Sequence, residues 1–576
     1  PLGIRRGRWD KAWLDPLKLL PSYFRRGIFL FQPQSELEKT VQLTTVSLSK
    51  TLDFSETAPK SRGKGIDFPL LLVIEVLFMK PVFVGHADYQ LFVLDQLRRH
   101  YTHGLAVLVP RDWPIIWKCL ISDLSHTATF LRDSYADKGP APRDPASMLR
   151  SYLLFLLVRS EIGITAWVDE MYRVPLYAIL SGFEPGDIPG VGTFYDFLTR
   201  FWASEAKNFK SKSKPKKRKP KRGKKGEKAP TTSAGKVKRL VDYLLRSGAK
   251  LQKQPFDRLL EFFHSQIVYV SAKLGLLGDM DALTLAGDGT PLVTSSYPRS
   301  KPTCDCSAQG LANCSHRRLY SQPDCDSGWD SAREKYFNGY HLYMLSAANS
   351  QHDLPLYPRL QPASRHDAVS VVVSSIEFTQ RFTLGTVDKI LLDAAHDAEA
   401  IYEWLEHQHM EPFIDLNNRK KKNTDTDSDM QISPAGVPIC PIGKEMKPNG
   451  YDNTQNRQKW RCPLACGSKN TCPTPCSTAK YGRTYHTFKA DNLRLFPKTN
   501  RQSEAWKKLY KRRTSVERSN KREKIDYKLE AGRHRSTKMW YIRIYGIMMC
   551  QHIDAWYAHH KDELKKKQEQ FFTNAS

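Results

Sequence analysis

The sequence predicts an α/β fold: a mixed sheet flanked by helices, with a helical domain ahead of it and a Cys-rich insertion before the last helices. Three observations carry this. Short apolar runs alternate with helix-period patterns between residues 236 and 417. A polar segment holding five cysteines, residues 418–490, interrupts that alternation. Apolar stripes at helical spacing occupy residues 141–205. With 576 residues, 40% of them hydrophobic and 11% aromatic, the chain has material for several cores.

Residues 1–140 mix apolar runs with prolines and yield no assignment. In the helical domain, 141–205, Asp144 caps a helix whose first turn holds Pro145, and Thr193 is read as the cap of a second, with Phe194, Phe197, Leu198 and Phe201 on one stripe. The segment 206–235 is a basic, disordered linker. From 236 the pattern becomes β-β-β-α-β-α-β: a strand ending at Asp288, a hairpin turning at Asn349–Asp353, a helix, a strand ending at Asp393, a second helix and a last strand. After the insertion, residues 491–550 return to the core with a helix containing Glu517, and 551–576 form a C-terminal helix and tail.

The net charge of +29 and the pI near 9.5 point to a polyanionic partner. No apolar run approaches the roughly 18 residues of a membrane span, so nucleic acid is favoured over a bilayer. Lys207 to Lys228 contributes +12 of that charge, leaving +17 for the rest, so the folded parts are themselves basic. Lys216, Lys217 and Arg218 lie at its centre; they are read as phosphate contacts, the alternative being a solvated spacer.

The stretch Tyr510 to Lys524 sets Glu517 and Glu523 among seven lysines and arginines. Tyr510, Arg513, Glu517 and Lys524 stand three, four and seven residues apart, which on a continuous α-helix places them within an arc of about 60° and leaves Glu523 off that face. Asp288 and Asp393 end two strands expected to be neighbours. Three convergent carboxylates repel one another unless cations lie between them, the setting for two Mg²⁺ ions.

This arrangement resembles the DDE transposases of bacterial insertion sequences, and Tyr510-x2-Arg513-x3-Glu517-x6-Lys524 is similar to their YREK signature. The resemblance covers roughly residues 280 to 545 and implies an RNase H-like core. It makes Asp288, Asp393 and Glu517 the catalytic acids, holding two Mg²⁺ for which Mn²⁺ can substitute, and puts Tyr510, Arg513 and Lys524 on DNA. His396 stands where the family leads us to expect Phe or Tyr, so Asp397 is a rival for the second acid; Asp279 and Asp281 are weaker rivals for Asp288. Implied partners are double-stranded DNA, as terminal inverted repeats and target, and a second copy of the chain in a homodimeric synaptic complex. Residues 141–205 are similar to the DNA-end-binding domain of these elements. The setting implied is the bacterial cytoplasm, at the nucleoid. Two alternatives stay open: an RNase H-like nuclease or resolvase without strand transfer, and a catalytically silent DNA-binding protein.

Nine of the eleven cysteines fall in two clusters, and crowded thiolates in a reducing compartment suit Zn²⁺. Cys304, Cys306, Cys314 and His316, with Cys325 nearby, form the first; Cys440, Cys462, Cys466, Cys472 and Cys476 form the second. The alternative is partly buried thiols. Trp460, among Arg457, Lys459 and Arg461, is a candidate for stacking on an unpaired base, against the alternative of a core tryptophan.

Overall fold

The computed structural model describes residues 80–101, 107–137, 140–202, 235–250, 252–303, 318–320, 322, 325–417, 430–465 and 471–573. The basic linker, with Lys216, Lys217 and Arg218, lies outside them, as do Cys304, Cys306, Cys314, His316 and Cys466. The chain divides into two compact units: residues 1–154, 168–200 and 553–576 form one, and residues 155–167 with 201–552 the other.

The first unit is helical. Its helices include α1 (His86–Tyr101), α2 (Trp113–Ile121) and α3 (His126–Leu131), all within the region the sequence left unassigned. It also takes in most of α4 (Pro145–Val158), part of α5 (Ile164–Arg173), α6 (Pro175–Ser181) and most of α7 (Val191–Trp202). Asp144 caps α4 as expected, its Oδ2 accepting from the Ser147 amide at 2.9 Å. Thr193 does not cap α7, which starts two residues earlier at Val191. The stripe of Phe194, Phe197 and Leu198 is fully buried, as amphipathic spacing requires.

The second unit is built on a mixed sheet. Central β1 (Leu283–Val293) pairs antiparallel with β5 (Lys335–Ala347), which pairs antiparallel with β6 (Pro355–Pro362). On its other side β1 pairs parallel with β7 (Val387–Leu392), and β7 parallel with β8 (Glu411–Ile414). The order β6-β5-β1-β7-β8 is the expected RNase H-like α/β core, and β4 (Asp326–Asp330) adds to β5 beside β6. Between β1 and β4, β2 (Pro298–Thr303) and β3 (Arg318–Tyr320) form a separate ribbon. The connection from β6 to β7 runs through α11 (Asp367–Thr379), that from β7 to β8 through α12 (Glu399–His407). The helices α8 (Lys236–Ser247), α9 (Asp257–Phe263) and α10 (Tyr269–Lys273) precede the sheet.

The insertion forms its own small β structure: β9 (Gln431–Ile432) with β10 (Pro438–Ile439), and a three-stranded sheet of β11 (Lys447–Asp452), β12 (Arg457–Arg461) and β13 (Thr484–Phe488). Its core is Met430, Val437, Cys440, Met446 and Trp460. The chain then forms α13 (Glu504–Tyr510) and α14 (Thr514–Lys521), and α15 (Thr537–Thr573) closes it. From Trp540 to Met549 α15 is buried on nearly every side, as befits a helix apolar all round. Among the described residues no helix is long and apolar enough to cross a membrane.

Candidate active site

The register between β1 and β7 sets Asp288 level with Asp393. Ala286 of β1 lies opposite Leu391 of β7, so two residues further along each parallel strand Asp288 comes level with Asp393, with neighbouring strands about 4.8 Å apart. Asp288 does not end its strand, as the sequence suggested: β1 continues to Val293, paired only with β5 there. It is β7 that stops, at Leu392, so Asp288 has no strand partner on that side. The rivals fall away on geometry. Asp279 and Asp281 are exposed in the loop before β1, at the opposite end of the strand. Asp397 is buried and saturated: Arg494 grips it at 2.8 and 2.6 Å, and Tyr402 and the Asn417 amide also donate to it.

Both neighbours of Asp288 are glycines for a steric reason. A β-carbon on Gly289 would fall 1.9 Å from Asp367 Oδ1 and 2.2 Å from the His341 ring; one on Gly287 would fall 2.7 Å from the Tyr343 hydroxyl. That face of the sheet thus carries Tyr343, His341 and Asp367, with His341 Nε2 2.8 Å from Asp367 Oδ1. Alternation turns Asp288 to the opposite face. There Tyr340 of β5 meets Thr537 at 3.2 Å, and Ser519 of α14 meets Gln551 of α15 at 3.4 Å.

Glu517 lies on α14, which packs on β1 and β5, and Arg513 holds its carboxylate at 2.8 Å. Four residues separate the pair, so this part of the expected helical face is present. The face is not one continuous α-helix, however. A 3₁₀ turn at Lys511–Arg513 separates Tyr510 from α14, and a π-helical turn at Arg522–Asp526 carries Lys524. Both turns change the rotation per residue, so an arc drawn at 100° per residue does not hold across them. Tyr510 donates its hydroxyl to the Leu392 carbonyl at 3.1 Å, bracing the chain just before Asp393, while Lys524 lies 3.8 Å from Glu530. Glu523 is buried and accepts from Gln551 at 3.3 Å, away from Glu517's partner.

Electrostatics mark Asp288 out. Burial, then the charges of Asp367, Asp393 and Glu517, push its carboxyl up to about 7. Among the described residues its carboxylate has no hydrogen-bond or ion-pair partner, whereas Asp393 accepts from His396 Nδ1 at 2.5 Å and from the Ala395 amide at 3.1 Å. Burial is the largest influence and raises the Asp393 carboxyl, but the hydrogen bond and charge of His396 together with the Ala395 amide bring the acid below its ordinary range. Asp367 behaves likewise through His341. The carboxylates of Asp288, Asp393 and Glu517 are oxygen donors of the kind a hard divalent ion prefers, so the donor chemistry suits the metals that this kind of site implies, although in this structure the three are not gathered as one metal-holding group.

The remaining candidates separate. Trp460 does not stack on a base in this fold: it is 3% exposed, and its Nε1 donates to Thr487 at 3.0 Å inside the insertion's core. Cys440 packs in that same apolar core; Cys462 is buried, Cys472 half-buried and Cys476 exposed. Among the described residues no three His, Cys, Asp or Glu side chains are gathered as a metal-holding group, which is true of Asp288, Asp393 and Glu517 as of the described cysteines. Asp367, His341 and Tyr343 were missed in the sequence. Their signal was the pair of glycines flanking Asp288 mid-strand, which marks close approach by other groups.

Residues 283–551 match the family model described as the transposase DDE domain. No curated protein matches the chain. The matched span opens at the first residue of β1 and closes within α15, enclosing the whole sheet, Asp288, Asp393 and Glu517. Through this RNase H-like core, which spans 269 of the 576 residues, the chain is similar to the DDE transposases.

Proposed function

We propose that this protein is the transposase of a bacterial insertion sequence, which binds the element's terminal inverted repeats, cleaves them by metal-dependent hydrolysis and joins the 3′-hydroxyl ends to target DNA. The observation that supports the reading is the parallel register of β1 and β7, which carried past Leu392 sets Asp393, just after β7, level with Asp288 on β1, with the charge of Glu517 felt at Asp288. Asp288, Asp393 and Glu517 would hold two Mg²⁺ ions, with Mn²⁺ able to replace them. Divalent cations so bound polarise the scissile phosphate and activate a water or 3′-hydroxyl.

The chain's own groups do the rest. Arg513, paired with Glu517, would donate to a phosphate oxygen of the bound strand. Tyr510 and Lys524 flank the same segment and keep the strand in line. Residues 141–205 would bind the DNA end, and the basic linker would add phosphate contacts. Synapsis of two ends calls for a homodimer.

The test uses purified full-length protein and DNA carrying the repeats that bracket its gene. With Mg²⁺, the parent should nick the ends and join them to target. Asp288→Ala, Asp393→Ala and Glu517→Ala should each lower cleavage by several orders of magnitude while DNA is still bound in a gel shift. Nicking without joining would turn the reading toward a nuclease or resolvase; binding without nicking would turn it toward a silent DNA-binding protein.

A further inference from the structure

We propose that His396 and Tyr343 are positioning residues that fix the Asp393 carboxylate from behind the sheet, so that Oδ2 alone is presented to a divalent cation. This rests on Asp393 being a metal ligand, as proposed above. Tyr343 lies in the middle of β5, its hydroxyl 3.0 Å from His396 Nε2; His396 Nδ1 lies 2.5 Å from Asp393 Oδ1. Both side chains are fully buried, so neither has water as an alternative partner.

The directions of donation follow from the partners. Burial, then the charges of Asp367, Asp288 and Asp393, raises the Tyr343 phenol well above its ordinary value, so it remains a donor. The phenol donates to Nε2, which places the ring's proton on Nδ1, from which it is donated to Oδ1. The Ala395 amide donates to the same oxygen at 3.1 Å. With Oδ1 held twice, the carboxylate cannot rotate freely, and among the described residues Oδ2 accepts no hydrogen bond.

The backbone makes room for this relay. A β-carbon at Gly287 would meet the Tyr343 hydroxyl at 2.7 Å, so the glycine next to Asp288 is what lets the phenol pass beneath β1. A phenylalanine at position 396 would fill the same space yet donate nothing to Asp393. The relay therefore reaches from the strand beside one acid to the carboxylate of the other, and it belongs to the histidine this chain carries there. Hydrogen bonds behind a metal ligand hold its geometry, and their loss weakens metal binding about 10- to 100-fold.

The experiment measures Mn²⁺ affinity of the full-length, DNA-free protein from the paramagnetic resonance of free Mn²⁺, with the Mg²⁺-induced rise in Tm as a second readout. Asp393→Asn is the reference. His396→Phe is expected to weaken Mn²⁺ binding about 10- to 100-fold and Tyr343→Phe by a smaller factor. His396→Asn, whose amide can donate from near the Nδ1 position, should recover much of the loss. Cleavage should fall in the same order with DNA affinity unchanged. If Asp393→Asn weakens Mn²⁺ binding while His396→Phe and Tyr343→Phe bind it like the parent, whatever their Tm, the relay is core packing and the proposal falls alone. If Asp393→Asn also binds Mn²⁺ like the parent, the ligand assignment falls and takes the relay with it. Should His396→Phe fail to fold, Tyr343→Phe, which deletes one oxygen, decides between the same outcomes.

Discussion

Glu523 and Glu517 sit six residues apart in one basic stretch, and their surroundings make them different acids. Glu517 is half exposed and ion-paired with Arg513, whereas Glu523 is sealed against Gln551, and burial pushes its carboxyl up to about 8. In the unfolded chain a glutamate ionises near 4.3, so between that value and about 8 the folded protein keeps a proton that the unfolded chain gives up. Stability on this account is greatest below about pH 4.3 and is lost as pH rises through 8. Glu523→Gln should accordingly raise Tm at pH 8 and change it little at pH 4.5, with cleavage unaltered; equal shifts at both pH values would refute the assignment. Gln is the right replacement, since Ala would leave a hole in a closed site. Asp397 supplies the complementary case. Asp397→Asn strips Arg494 of its buried partner, and the loss of stability should be about 3–5 kcal/mol in urea unfolding. A variant as stable as the parent would show that the pair carries no structural load.

At the level of elements, the insertion is the clearest example of burial overruling a sequence cue. Trp460 alternates with Arg457, Lys459 and Arg461 along β12, and that alternation itself describes a strand with one face inward. The tryptophan takes the inward face with Gln458, packs on Met430, Val437 and Met446, and finds a hydrogen-bond acceptor in Thr487. Trp460→Ala should destabilise the insertion by about 3–5 kcal/mol, seen as a new low-temperature unfolding transition or as protease cutting between residues 430 and 490. An unchanged melting profile with weakened DNA binding would restore the stacking role. The segment from Glu504 to Asp526 teaches the same lesson for helices: it is α, then 3₁₀, then α, then π. The Arg513 to Glu517 spacing survives because it spans a single turn, while the longer step to Lys524 crosses the π turn.

For the whole molecule, charge is the governing quantity. The linker from Lys207 to Lys228 carries +12, yet +17 remains elsewhere, so DNA binding should persist without it. Deleting it should flatten the dependence of log affinity on log salt, by about 0.9 for each phosphate no longer neutralised, while preference for terminal repeats is largely kept. Gel shifts between about 50 and 200 mM salt measure this. An unchanged slope would make the segment a spacer.

Period and punctuation in the sequence were enough for the order β1, β5, β6, α11, β7, α12, β8, though not for β2, β3 and β4, and for the stripe on α7 and the cap at Asp144, because each depends on residues within a few positions of one another. The three acids proposed for the site were picked out by the spacing around Glu517 and the apolar runs leading to Asp288 and Asp393. Long-range packing decided the rest. That β7 stops level with the middle of β1, that Arg494 claims Asp397 from 97 residues away, and that Tyr343 reaches His396 past Gly287 are consequences of sheet register and packing. No local pattern encodes which carboxylate a distant arginine will neutralise. Burial then sets the chemistry: the same aspartate side chain is saturated at position 397 and left open, near three other acids, at position 288.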